Sequence, residues 1–147
     1  MTSNVKAVPE GYHTVTPYLV VEGVPRLIDF LKSAFDAVET ERVPGPDGKI
    51  GHAEVRIGDS VVMMGEASGE WKPMPAMIYL YVSDADASYK RALDAGATSL
   101  MEPADQFYGD RNAGVKDPCG NQWWIATRIE EVSKEELQRR AEARGKG

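Results

Sequence analysis

The chain is poor in the residues that usually announce chemistry. Among 147 residues there is one cysteine and there are two histidines. A lone thiol, Cys119, excludes an intrachain disulfide framework and suits a reducing compartment. No stretch approaches the ~20 apolar residues of a membrane-spanning helix. The opening stretch MTSNVKAVPEGYHTV lacks the apolar run of a signal peptide, so a cytoplasmic protein is expected. Lys and Arg number 17 against 23 Asp and Glu, a net charge of -6, and no basic block occurs. A phosphate-binding surface needs clustered Lys and Arg, so nucleic acid is not an expected partner, and without a spanning stretch neither is a membrane.

What remains is an ordinary globular composition, 42% hydrophobic and 27% charged, which argues against disorder in the body of the chain. At this length one domain buries roughly 70% of its extended surface, so a core forms without staples. Residues 14 to 21 (TVTPYLVV) read as a strand, rich in β-branched and aromatic side chains. Pro25 follows at a helix start, and Leu27, Ile28, Leu31, Ala34 and Phe35 make one apolar helical stripe. Strands are expected over 37–43, 50–57 and 61–64, with PGPDG and Gly58-Asp59 as turns.

A second round follows a Gly/Pro-rich connector at 65–76. A strand is expected over 77–82 (MIYLYV), a helix over 85–95 stopped by Gly96, and strands over 98–101, 112–116 and 122–127. DPCGN, at 117–121, is the turn before the last strand. Ser133 and Glu136 form a capping-box pattern that opens a polar helix to about Arg144. The two rounds align at one offset. Tyr18-Leu19-Val20-Val21 matches Tyr79-Leu80-Tyr81-Val82, since 79 − 18 = 61, and the same shift lays Val61-Val62-Met63-Met64 on Gln122-Trp123-Trp124-Ile125. The spacing predicts an internal repeat, with modules at 14–66 and 77–128 and a helix at 133–144, inside a single 1–147 domain.

A duplicated βαβββ unit ending in Asp117-Pro118-Cys119-Gly120-Asn121 resembles the vicinal oxygen chelate superfamily, the group of glyoxalase I, bleomycin-resistance proteins, fosfomycin-resistance enzymes and extradiol dioxygenases. The stretches PYLVVEGV, GHAEVRIGDSVVMMGE and FYGDRNAGVKDPCGNQWWIATRIEEVSKEEL resemble its PhnB-like branch. The resemblance implies an α+β fold in which two tandem modules form a curved mixed sheet around a cleft. Strand alternation then sorts side chains. Tyr18, Met77, Tyr79, Tyr81 and Trp124 are expected to face the cleft with His52, Glu54 and Arg56. Trp123 is expected to point to the core.

Metal-dependent relatives use His, Gln or Glu at four positions. By the resemblance those positions here are Thr16, Met63, Met77 and Trp124, and none is a hard-metal ligand. No metal and no cofactor is therefore expected. His52, Glu54 and Arg56 could instead supply an acid–base group or an anion clamp, or form only a solvated strand face. Asp110 and Arg111 read as a structural ion pair, with contact to the cleft as the alternative, and Cys119 as non-catalytic. The expected function is retention of a small, partly aromatic molecule by Tyr18, His52, Glu54, Arg56, Met63, Met77, Tyr79, Tyr81 and Trp124, in a homodimer. The alternative is a glyoxalase- or dioxygenase-type enzyme, metal-dependent or using His52 as acid or base. A third reading is an interaction protein with a vestigial cleft.

Overall fold

The structure, a computed structural model, describes residues 5–145. The first module comprises β1 (Tyr18–Val21), α1 (Val24–Phe35), β2 (Val38–Pro44), β3 (Ile50–Ile57) and β4 (Ser60–Glu66). The second comprises β5 (Met77–Tyr81), α2 (Ala85–Asp94), β6 (Thr98–Asp105), β7 (Asp110–Lys116) and β8 (Gln122–Arg128), and α3 (Lys134–Gly145) follows. Each module is a four-stranded mixed sheet, ordered β1-β4-β3-β2 and β5-β8-β7-β6. The fold is thus α+β, with the repeat visible in the pairing itself. Tyr18 lies opposite Met63 in one parallel pair and Tyr79 opposite Trp124 in the other, each 61 residues on.

The helices form where the sequence supplies both a stripe and a start. In α1, Val24, Leu27, Ile28, Leu31, Ala34 and Phe35 are all buried. Its N-terminus is capped from outside the helix: the Glu66 carboxylate accepts from Gly23 N at 2.8 Å and Val24 N at 3.0 Å. This satisfies donors that have no intrahelical partner. Asp84 caps α2 through Ala87 N, and Ser133 accepts from Glu136 N at the start of α3. No helix among the described residues is long and apolar enough to cross a membrane.

The helix sides of the two sheets share one core. Leu19, Val21, Val55 and Met64 of the first module pack with Val115, Trp123 and Ile125 of the second. The Phe35 and Trp123 rings meet at 5.4 Å between centroids, and Arg91 pairs with Asp36 at 3.0 Å across the same seam. The DPCGN turn secures Trp123. Asp117 Oδ1 accepts from Cys119 N and Asn121 N, and Oδ2 accepts from Asn121 Nδ2 and from the indole Nε1 of Trp123 at 2.8 Å. Asn121 in turn accepts from Ala76 N, tying the turn to the start of β5.

Two boundaries differ from the sequence reading by four residues, the others by one or two at most. The strand expected from residue 14 begins at Tyr18, because the segment before Pro17 turns back on itself. Thr16 Oγ1 donates to His13 O at 3.3 Å, and the His13 ring reaches Asp59 O at 2.9 Å. The strand expected to stop at 101 continues to Asp105 through Pro103, with a register shift between Met101 and Ala104. Proline is tolerated there because β6 is an edge strand.

Candidate functional site

The face of the first sheet turned away from α1 gathers five of the expected residues. Antiparallel pairing sets Glu54 opposite Met63 and Arg56 opposite Val61, and the parallel pair sets Tyr18 on the other flank of Met63. The Tyr18 hydroxyl lies 3.2 Å from His52 Nδ1, and His52 Nε2 lies 2.7 Å from Glu54 Oε2. The second Glu54 oxygen accepts from the Tyr12 hydroxyl. Glu54 is only 4% exposed, although its strand neighbours His52 and Arg56 are not buried. Burial pushes its carboxyl up. The hydrogen bonds from His52 and Tyr12 outweigh that and hold it below the usual carboxylate range. The same contact with Glu54 raises the Tyr12 phenol. Tyr18 can cross β4 because residue 65 is glycine: a Cβ there would lie 2.7 Å from the Tyr18 hydroxyl.

Glu41 joins this cluster from β2, directly opposite Glu54. Ligand atoms of Glu41, His52 and Glu54 lie within 4.8 Å of one another, so these are the described residues that could hold a cation. Tyr12 and Glu41 escaped the sequence reading. Tyr12 precedes the first strand, and Glu41 sits beside a register shift in β2, where simple alternation fails.

The corresponding face of the second sheet is built on a buried acid. Tyr79 and Tyr81 both donate to Asp110 Oδ2, at 2.7 and 2.9 Å. Asp110 is 1% exposed. Arg128 Nε stands 3.0 Å from its other oxygen without hydrogen-bond alignment, so that oxygen is compensated by charge but accepts no directed bond. Asn112 donates to the hydroxyls of Tyr79 and Tyr108, at 3.0 and 2.7 Å. Burial, first, and the Asp110 contact raise the Tyr79 phenol above its ordinary value. Trp124 lies over Gly114, where a Cβ would fall 2.7 Å from the indole, and its Nε1 donates to Gln122 at 3.2 Å. Met77, Tyr79 and Tyr81 remain 65%, 42% and 56% exposed. The expected Asp110–Arg111 pair does not form. Adjacent strand residues point to opposite faces, so Arg111 turns away to Asp86 and Asp105.

The expected residues are therefore split into two sets. Among the described residues, no hydrogen bond, ion pair or ring contact joins Tyr18, His52 and Glu54 to Tyr79, Tyr81 and Trp124. Each face repeats the other's plan. Tyr18 touching His52 in the first module corresponds to Tyr79 touching Asn112 in the second. A groove of about 850 Å³ runs instead along the outer edge of β5, floored by Phe35 and Trp123.

The four metal positions implied by the fold family do not fit a hard cation. Thr16 bonds to His13 O, Met77 is largely exposed, and Trp124 is engaged with Gln122. The strand register pairs Met63 with Tyr18 and Trp124 with Tyr79, two residues on from Thr16 and Met77. Moving to those positions offers only two phenols already bonded to His52 and Asp110.

The model of the Glyoxalase/Bleomycin resistance protein/Dioxygenase superfamily matches residues 12–125. The chain belongs to this superfamily. An uncharacterized protein of Mycobacterium bovis is 41% identical over 144 residues, covering 90% of this chain and 95% of the relative. A Mycobacterium tuberculosis protein, also uncharacterized, matches at the same identity over 85% of its length. Among solved structures, TioX from a Micromonospora species superposes with a TM-score of 0.68 at 24% identity, over 80% of this chain and 99% of that one. The fosfomycin resistance protein FosX from Mesorhizobium loti gives 0.57 at 18% identity, over 78% and 90%. At these identities the structural likenesses establish the fold alone.

Proposed function

We propose that this member of the glyoxalase/bleomycin-resistance superfamily holds a small, partly aromatic molecule without the metal usual to its family. One observation carries the reading: aromatic side chains stay exposed on a sheet face whose polar tips are tied to a buried acid, with no hard ligand at the family's metal positions. Tyrosines fixed in this way present flat apolar surface with little rotamer entropy left to lose on binding. The FYGDR stretch and the DPCGN turn favour the PhnB-like branch, and the single unbridged cysteine favours a cytoplasmic setting.

Two exposed half-clefts that do not meet within one chain also favour a homodimer. The Tyr18–His52–Glu54 face of one copy would close over the Tyr79–Tyr81–Trp124 face of its partner. Thermal-shift screening against planar aromatic compounds is the test, since a ligand that prefers the folded state raises the melting temperature. Trp124→Ala is expected to weaken a hit by about 1 kcal/mol or more, given stacking contributions of roughly 0.5–1.5 kcal/mol. Light scattering at micromolar concentration is expected to give twice the chain mass. A monomer with no stabilising compound in the panel would remove the proposal.

A further inference from the structure

Retention of a ligand does not explain why one face carries a complete hydrogen-bonded series of titratable groups. Glu54 is ionised at neutral pH and can only accept. The His52 nitrogen 2.7 Å away, Nε2, must therefore carry a proton. In the neutral ring that leaves Nδ1 as an acceptor, and the group within reach of it is the Tyr18 hydroxyl at 3.2 Å. Glu54 is itself fixed from behind by Tyr12. Tyr18 is 45% exposed, whereas Glu54 is nearly closed off. The series thus runs from a buried charge to a surface phenol, the arrangement in which a base is oriented by a third group and faces a weak nucleophile or acid.

We propose that Tyr18, His52 and Glu54 form a proton relay with Tyr18 as its outlet, an acid–base site for a small molecule with a C–H beside a carbonyl or a phenolic O–H. In the forward step the substrate proton passes to Tyr18 Oη while the phenol's own proton moves to His52 Nδ1. The substrate keeps the electron pair as an enolate or phenolate, the imidazolium is held by Glu54, and reversal returns the proton. No oxidant, reductant or leaving group is required. Tyr79 and Asn112, the counterparts in the second module, cannot do this, because a neutral amide neither takes nor gives a proton near neutrality.

The proposal places the bound molecule on the face already assigned to the cleft, but its test needs no ligand, so the relay can fail while binding stands. Benzenesulfonyl fluoride is the probe. Tyr18 Oη attacks sulfur, the S–F bond breaks, fluoride leaves and His52 takes the phenolic proton. Peptide mass mapping at pH 7 is expected to show Tyr18 modified faster than the other tyrosines. His52→Gln should slow this modification on the order of a hundredfold, the low end of general-base contributions, while near-UV circular dichroism stays unchanged. Glu54→Gln should slow it about tenfold or more, through loss of the charge that stabilises the imidazolium. Glu135→Gln, in the exposed first turn of α3, should leave it within about twofold. A Tyr18 rate insensitive to His52→Gln overturns the relay, and so does a loss in Glu41→Gln as large as in His52→Gln, which would assign the cluster to a cation. Should the variants not fold, nitrogen NMR of the unmodified protein decides: neutral His52 protonated at Nε2 supports the relay, and protonation at Nδ1 refutes it.

Discussion

Replacing Asp117 with Asn changes one atom and little volume, yet it should rank among the more damaging substitutions in this chain. Asp117 is buried and accepts four hydrogen bonds, two at each oxygen. An asparagine offers one acceptor oxygen. If that oxygen keeps Cys119 N and Asn121 N, the new NH₂ group faces Asn121 Nδ2 and Trp123 Nε1, donor against donor. If the amide turns over, the two backbone donors are orphaned instead. Either way two bonds to an ionised acceptor are lost, each about 1.5–3 kcal/mol. Removing a buried charge offsets part of this, so the expected net loss is about 3 kcal/mol. Against a typical total of roughly 5–15 kcal/mol this is large, and it corresponds to a fall in Tm of about 6–12 °C for a domain of this size. Urea denaturation at pH 7 measures it directly, with an unchanged m-value as the sign that only stability moved. Trp123→Phe, which removes one of the four donors, should cost less than Asp117→Asn once ring packing is matched. A loss below about 1 kcal/mol for Asp117→Asn would refute the view that this carboxylate organises the turn.

Trp123→Ala should lower stability by about 3–5 kcal/mol, as for other buried aromatic truncations, because its ring fills the seam against Phe35; chemical denaturation measures this. Gly114→Ala should leave the protein folded but shift Trp124 fluorescence, since the added methyl occupies space the indole now holds; an unchanged emission spectrum would count against the placement of Trp124. The acid limb of stability should depend on Glu54. Its folded carboxyl lies below the unfolded value of about 4.3, so its contribution is present above that pH and is lost as pH falls through the folded value. Urea midpoints should therefore show Glu54→Gln well below the native protein at pH 6, with the gap narrowing only under about pH 4.

The parts of the fold that were legible in the sequence are those set by periodicity. The stripe Leu27, Ile28, Leu31, Ala34 and Phe35 is an uninterrupted helical pattern, and it is buried throughout. The 61-residue offset reappears as the matched pairs Tyr18–Met63 and Tyr79–Trp124 because duplicated strands keep their register. Alternation also separates Trp123, which is fully buried, from Trp124. The partners were not legible. Which carboxylate receives Tyr79 and Tyr81 depends on β7 lying two strands away, and nothing local in MIYLY points to Asp110. Tyr12 reaches Glu54 across 42 residues, from a segment with no regular structure. Nor could periodicity tell that the two sets of cleft residues lie on separate faces, since it sorts side chains within a sheet and is silent on how one sheet stands to another.

The outer margin of β5 has a further consequence for handling the protein. Ala76 and Val82 bond across to β8, so the intervening residues 77, 79 and 81 turn their backbone groups toward the groove. Such a margin is a template for any extended chain of matching reach, and it is flanked by the apolar side chains of Met77 and the two tyrosines. Natural sheets often blunt a free margin with lysine or proline, and MIYLY has neither. Stored concentrated and uncapped, this chain would be prone to recruit partially opened neighbours strand by strand. A single Ile78→Pro exchange is no remedy, since that residue supports the core. A charge at Met77, whose side chain already stands in solvent, would protect the margin and leave the packing beneath it intact.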